Sequence, residues 1–119
     1  VTDAELEEYL RSLGLTVEAA QDHSGHPYIV VCNFTIPCGP LAERACDVAL
    51  ARCQTIPYLV PPAIHTRPAL VRMDMTGPLK TQSSALGPDW QYWSRRFDRV
   101  PTPQAVWTHV LTVFSQVIP

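Results

Sequence analysis

The sequence predicts an α+β fold in which helices cover one face of a four-stranded antiparallel sheet. Three observations carry the prediction. A capped amphipathic helix opens the chain. Alternating and β-branched segments follow on connections too short for parallel crossovers. A second amphipathic stretch begins after Pro103. With 119 residues, 46% hydrophobic and 17% charged, the chain is globular and fits one domain, 1–119.

Thr2-Asp3-Ala4-Glu5 reads as a capping box, in which the Thr2 hydroxyl bonds the Glu5 amide and the Glu5 carboxylate reaches back. Leu6, Tyr9, Leu10 and Leu13 then recur at helical spacing, and Gly14 suits the left-handed position that ends a helix, so a helix is expected over 3–13. A short strand is expected over 15–20, and 21–27 is a polar turn whose His23 and His26 are expected to meet water. Tyr28 to Thr35 is β-branched and aromatic, a central strand. Pro37-Cys38-Gly39-Pro40 breaks it. Alternation of Cys46, Val48 and Leu50 with Ala45, Asp47, Ala49 and Ala51 predicts a third strand over 45–52. A fourth is expected near Ala69–Met73. After Pro103, with Thr102 as N-cap, Val106, Val110, Val113, Phe114 and Val117 share one helical face.

A net charge of −2 leaves no electrostatic footprint for nucleic acid or an anionic membrane. Arg95, Arg96 and Arg99 are the local exception, read either as a solvated face or as a dock for an acidic partner. Residues 100–119 carry no formal charge, but Pro101, Pro103, Gln104, His109 and Gln116 interrupt them, so no membrane span is read. No signal peptide is visible either. The four cysteines (Cys32, Cys38, Cys46, Cys53) form no metal-ligand spacing and are expected to be reduced and partly buried. A cytoplasmic protein without a bound metal or cofactor is the expectation.

Pro57, Pro61, Pro62 and Pro68 fix φ and remove donors, so 57–68 is expected to cross the core as a rigid path without ladder bonds. Ile56-Pro-Tyr-Leu-Val-Pro-Pro-Ala-Ile-His-Thr-Arg-Pro68, followed after a loop by Trp90-Gln-Tyr-Trp-Ser-Arg-Arg96, resembles the second half of the ubiquitin-conjugating (UBC) fold. The stretch Leu86 to Arg96 looks like UBC-fold proteins encoded in bacterial ubiquitin-like conjugation operons. The resemblance is specific over 56–96 and covers most of the chain by element order. It implies a UBC-like domain with an activating-enzyme-like protein and a ubiquitin-like protein as partners. Its activity would be acyl transfer to an amine through a covalent intermediate, with ATP consumed by the activating enzyme.

Two hallmarks of that family are missing: all four cysteines precede the proline segment, and there is no His-Pro-Asn motif. Where the family's nucleophile sits, this chain has Ser83 and Ser84, seven and six positions before Trp90. A serine hydroxyl is far less acidic than a thiol and needs a neighbouring base. Lys80 and His65 are the bases considered first, with Asp74 and Asp89 nearby; Ser–Lys pairs have precedent on other folds. His65 also reads as a core-edge hydrogen-bonder. The alternative is an inactive binding module, as in the related RWD domains. Trp90, Tyr92, Trp93 and Phe97 read as one aromatic wedge under the loop, with Trp93, Arg95 and Arg96 as candidate partner contacts.

Overall fold

Residues 2–52, 63–95 and 102–116 are described by the structure, a computed structural model. Helix α1 (Asp3–Ser12) starts where Thr2 Oγ1 accepts from the Glu5 amide at 2.8 Å. It ends before Gly14, whose amide donates to the Arg11 carbonyl and whose φ of 82° turns the next amide, Leu15, back to the Leu10 carbonyl. Strands β1 (Thr16–Gln21), β2 (Pro27–Thr35) and β3 (Ala45–Ala51) follow the sequence expectation within a residue or two. Helix α2 (Pro103–Gln116) is capped by Thr102 Oγ1, which accepts from the Ala105 amide at 3.1 Å.

The second half departs from the expected four strands. Among the described residues the sheet has six, in the order β1-β2-β3-β4-β6-β5, and every pairing is antiparallel. Strand β4 is Ala63–Arg67, inside the segment expected to cross without ladder bonds, and it lies between β3 and β6. The prolines explain this: Pro61, Pro62 and Pro68 bracket these five residues but none interrupts them, so every amide can join the ladder. Residues 57–62 of that expected crossing lie outside the described residues.

Ala69–Met73 forms no strand. Its backbone is taken instead by the buried amide of Gln91. Leu70 and Val71 amides donate to Gln91 Oε1 (3.0 and 3.4 Å), and Gln91 Nε2 donates to the Val71 carbonyl at 2.7 Å. The expected loop and Trp-rich turn are the hairpin of β5 (Thr81–Ser84) and β6 (Gly87–Ser94). Pro88 is tolerated because it sits at the start of its strand, and the aromatics that follow favour a pleated surface.

Both helices pack on one face. There Leu6, Leu10, Val106, Val110 and Phe114 meet Ile29, Val31, Val48, Leu50, Ile64 and Trp93. A bulge between Val31 and Phe34 keeps Phe34 on that side, with Asn33 at φ 51° donating its amide to Asp47. Tyr28, Val30, Ala49 and Trp90 form a smaller cluster on the other face. No helix among the described residues is long and apolar enough to cross a membrane.

Candidate functional site

The face without helices carries the site, and strand register builds it. Tyr28 on β2 lies opposite Ala51 on β3, Ala49 opposite His65 on β4, His65 opposite Tyr92 on β6, and Tyr92 opposite Gln82 on β5. Because side chains alternate, these residues and Ala63 share the face. Ala51 and Ala63 keep the floor low while the tyrosines rise around it. The result is a cleft of about 490 Å³, lined among others by Tyr28, His65, Gln82, Ser83 and Tyr92. At its end the β1–β2 turn meets the β5–β6 turn, where His23 Nδ1–H donates to the Ala85 carbonyl at 2.9 Å. His23 is therefore not merely solvated, as the polar turn had suggested.

Ser84 Oγ lies 2.7 Å from His65 Nδ1 and also accepts from the Leu86 amide at 3.1 Å. His65 is buried, and the loss of hydration pulls its pKa down to about 4, with the Asp22 carboxylate opposing the shift. Its imidazole is thus neutral near pH 7. With the proton on Nε2, Nδ1 accepts the Ser84 O–H, the arrangement in which a base withdraws a hydroxyl proton. Tyr28 and Tyr92 stand nearly perpendicular to the His65 ring, at 5.1 and 5.2 Å. Tyr28 also donates its hydroxyl to Asp22 Oδ2 at 3.1 Å, so Asp22, Tyr28, His65 and Ser84 form a continuous chain of contacts. Asp22 accepts further from Ser24 and the His26 amide, which helps hold its carboxyl down at about 2.

The other expected site residues separate. Ser83 is exposed, with Ala85 on the rim either side of Ser84. Lys80 is exposed and precedes the opposite end of β5. Four residues of extended chain put it about 13 Å along the strand from Ser84. It is not the base beside Ser84, because 81–84 runs as a strand where a loop was expected. Asp74 is occupied by the Leu79 amide at 2.9 Å, and Asp89 is exposed.

Trp93 is fully buried, donating Nε1–H to Thr66 Oγ1 at 3.0 Å, so it is a core residue and not a partner contact. Arg95 donates to the Leu79 and Ser94 carbonyls (2.7 and 3.0 Å), and its partial burial lowers its pKa. Arg96, Phe97, Arg99 and Cys53 lie outside the described residues. Cys32, Cys38 and Cys46 are free thiols, half-buried, exposed and buried respectively. Among the described residues no group of three or more potential metal ligands comes together.

Sequence reasoning missed Tyr28, Tyr92 and Gln82 as parts of the site. The signal was present in 90–94. Read with a period of two, Trp90 and Tyr92 point one way and Gln91 and Trp93 the other, whereas the four aromatics from Trp90 to Phe97 had been grouped as a single wedge. Nothing comparable marked Asp22, whose place is set by the β1–β2 turn through its bonds to Ser24, the His26 amide and Tyr28.

A family model described as prokaryotic E2 family E matches residues 3–117. No curated protein and no solved structure matches the chain.

Proposed function

The chain belongs to prokaryotic E2 family E, and from that premise we propose that it passes a ubiquitin-like protein to an amine through an oxyester on Ser84, with His65 as the base. Membership makes it a conjugating-enzyme-like protein of ubiquitin-like conjugation. The observation that carries the finer reading is the 2.7 Å contact between Ser84 Oγ and His65 Nδ1 at the edge of the cleft.

In the first step Ser84 Oγ attacks the carbonyl of the ubiquitin-like C-terminus, held as a thioester on the activating enzyme. The C–O bond forms, the C–S bond breaks, and the serine proton passes through His65 to the departing thiolate. A neutral amine then attacks the oxyester. The C–N bond forms, the C–O bond breaks, and a proton from the amine nitrogen returns through His65 to Ser84. Asp22, next to Tyr28, favours the transient imidazolium. Arg95 and Arg96 are assigned to an acidic patch on the activating-enzyme-like or ubiquitin-like partner, in the cytoplasm.

A second reading, the non-covalent binding module, is favoured by one observation: Ser84 Oγ also fastens the tight turn through the Leu86 amide, a structural task. The test incubates the protein with ATP, its activating enzyme and the ubiquitin-like partner. The oxyester reading expects an adduct that survives thiol reductant, is cleaved by alkali, maps to Ser84 and disappears in Ser84→Ala. A reductant-labile adduct would move the chemistry to a cysteine. Stable association without any adduct would leave the binding module.

A further inference from the structure

We propose that Met73 is an oxidation site whose sulfoxide is held by the buried amide of Gln91, so that a peroxide tightens the 69–73 segment against β6. Nothing in this depends on transfer through Ser84.

Methionine is ordinarily a flexible filler of cores. Both methionines of this chain are instead exposed on the segment between β4 and β5, Met73 at 51% and Met75 at 67%. One of them is tied to the interior. Gln91 Nε2 donates to Met73 Sδ at 3.5 Å, while the rest of that fully buried amide serves the backbone of Leu70 and Val71. A thioether is a weak acceptor, so one N–H of Gln91 has a poor partner that stands at the protein surface.

Hydrogen peroxide reaches a sulfur so placed. The sulfur lone pair attacks one peroxide oxygen, the S–O bond forms and the O–O bond breaks. The transferred oxygen gives its proton to the departing hydroxide, which leaves as water; sulfur is oxidised and the peroxide reduced. The new oxygen is a far stronger acceptor than the thioether. A bond of about 2.9 Å from Nε2 to that oxygen, bent by roughly 120° there, puts the sulfur about 3.9 Å from Nε2. That is roughly 0.4 Å beyond its present 3.5 Å, a move that an exposed, unbranched side chain makes by rotation. With its N–H better bound, the Gln91 amide polarises, and Oε1 holds the Leu70 and Val71 amides more tightly. Oxidation of a core methionine disrupts its surroundings. At Met73 it tightens them, through a residue that lies opposite Ser83 on β5.

The experiment treats the intact chain with hydrogen peroxide, then with dithiothreitol, which restores thiols and leaves sulfoxides in place, and follows backbone amide exchange by NMR. In Met75→Leu, peptide mapping should place one oxygen on Met73, and exchange at Leu70 and Val71 should slow at least about threefold. Methionine sulfoxide reductases should reverse the slowing. Their two classes each act on one sulfoxide epimer, so the class that reverses it identifies the epimer facing Gln91. Met73→Leu given the same peroxide should show no slowing. If Met75→Leu does not fold, the unaltered protein compared with Met73→Leu decides. Unoxidised Met73, exchange that is unchanged or faster, or equal slowing in Met73→Leu overturns the proposal.

Discussion

His23 donates its Nδ1–H to the Ala85 carbonyl, joining turns that belong to opposite edges of the sheet. Strand β1 ends the sheet on one side and β5 on the other. A flat sheet would hold those edges five strand spacings apart, roughly 24 Å. Their turns touch because the sheet twists and curls toward its helix-free face, and that curl encloses the cleft. Ala85 follows Ser84 directly, so His23 also braces the turn that presents the serine. In His23→Ala the main-chain bond from His23 to Ala85, at 3.4 Å, can persist while the side-chain bond is lost. Urea unfolding should then show a loss of about 1 kcal/mol, with faster amide exchange at Leu86. Unchanged exchange there would mean that the contact braces nothing.

Gln91 offers a sharper test of the fold's second half. Its buried side chain serves the amides of Leu70 and Val71 and the carbonyl of Val71, the work a neighbouring strand would otherwise do. Gln91→Leu keeps the volume and strands those groups away from water. A loss of about 2–4 kcal/mol is expected in denaturant unfolding. A change under about 0.5 kcal/mol would show that the 69–73 segment finds other partners.

These two contacts also mark where the sequence was legible. Helix α1, the first three strands and α2 follow from capping and period, because each is written in neighbouring residues. Strand β4 was hidden by reading its flanking prolines as one block, although 63–67 itself contains none. The β5–β6 hairpin was hidden because Gln82, Ser83 and Ser84 have little intrinsic strand preference, and their place depends on Trp90 to Trp93 for a partner. Ser84 and His65 were both legible as reactive types at plausible positions. Their pairing was legible only as one option beside Lys80, because it depends on a 19-residue separation closed by β6 lying between β4 and β5. Lys80 is far nearer to Ser84 in sequence than His65 is, but an extended strand carries it away.

Thiol reactivity should follow burial. Cys38 is exposed, whereas burial pushes the Cys46 thiol up to about 11 and raises that of half-buried Cys32, with Glu18 adding to the latter. Since the thiolate is the reacting form, alkylation of the native protein near pH 8 should label Cys38 before Cys32 or Cys46. Unfolding without reductant should reveal all four thiols of the chain. Peptide mapping that finds early label on Cys46, or fewer than four thiols after unfolding, would contradict this.

The pH dependence of stability should carry the mark of His65. Its pKa is about 4 in the folded protein against an ordinary value of 6.5, so below 6.5 the unfolded chain binds a proton that the folded chain refuses. The contribution is fully present above pH 6.5 and is lost as pH falls toward about 4, so stability rises with pH across that window. Between pH 7 and pH 5 the loss attributable to this residue should be about 2 kcal/mol. The Asp22 carboxylate, depressed from 3.8 to about 2, acts only at lower pH and leaves that interval clear. His65→Gln removes the titrating group, so its unfolding free energy should change less between pH 7 and pH 5 than that of the unaltered protein. Equal slopes in the two proteins would place the pH dependence elsewhere. Oxyester formation on Ser84 bears on the same point: because His65 stays unprotonated in the folded protein, its rate should hold down to about pH 5, and a fall centred near 6.5 would show that the base titrates as an exposed histidine does.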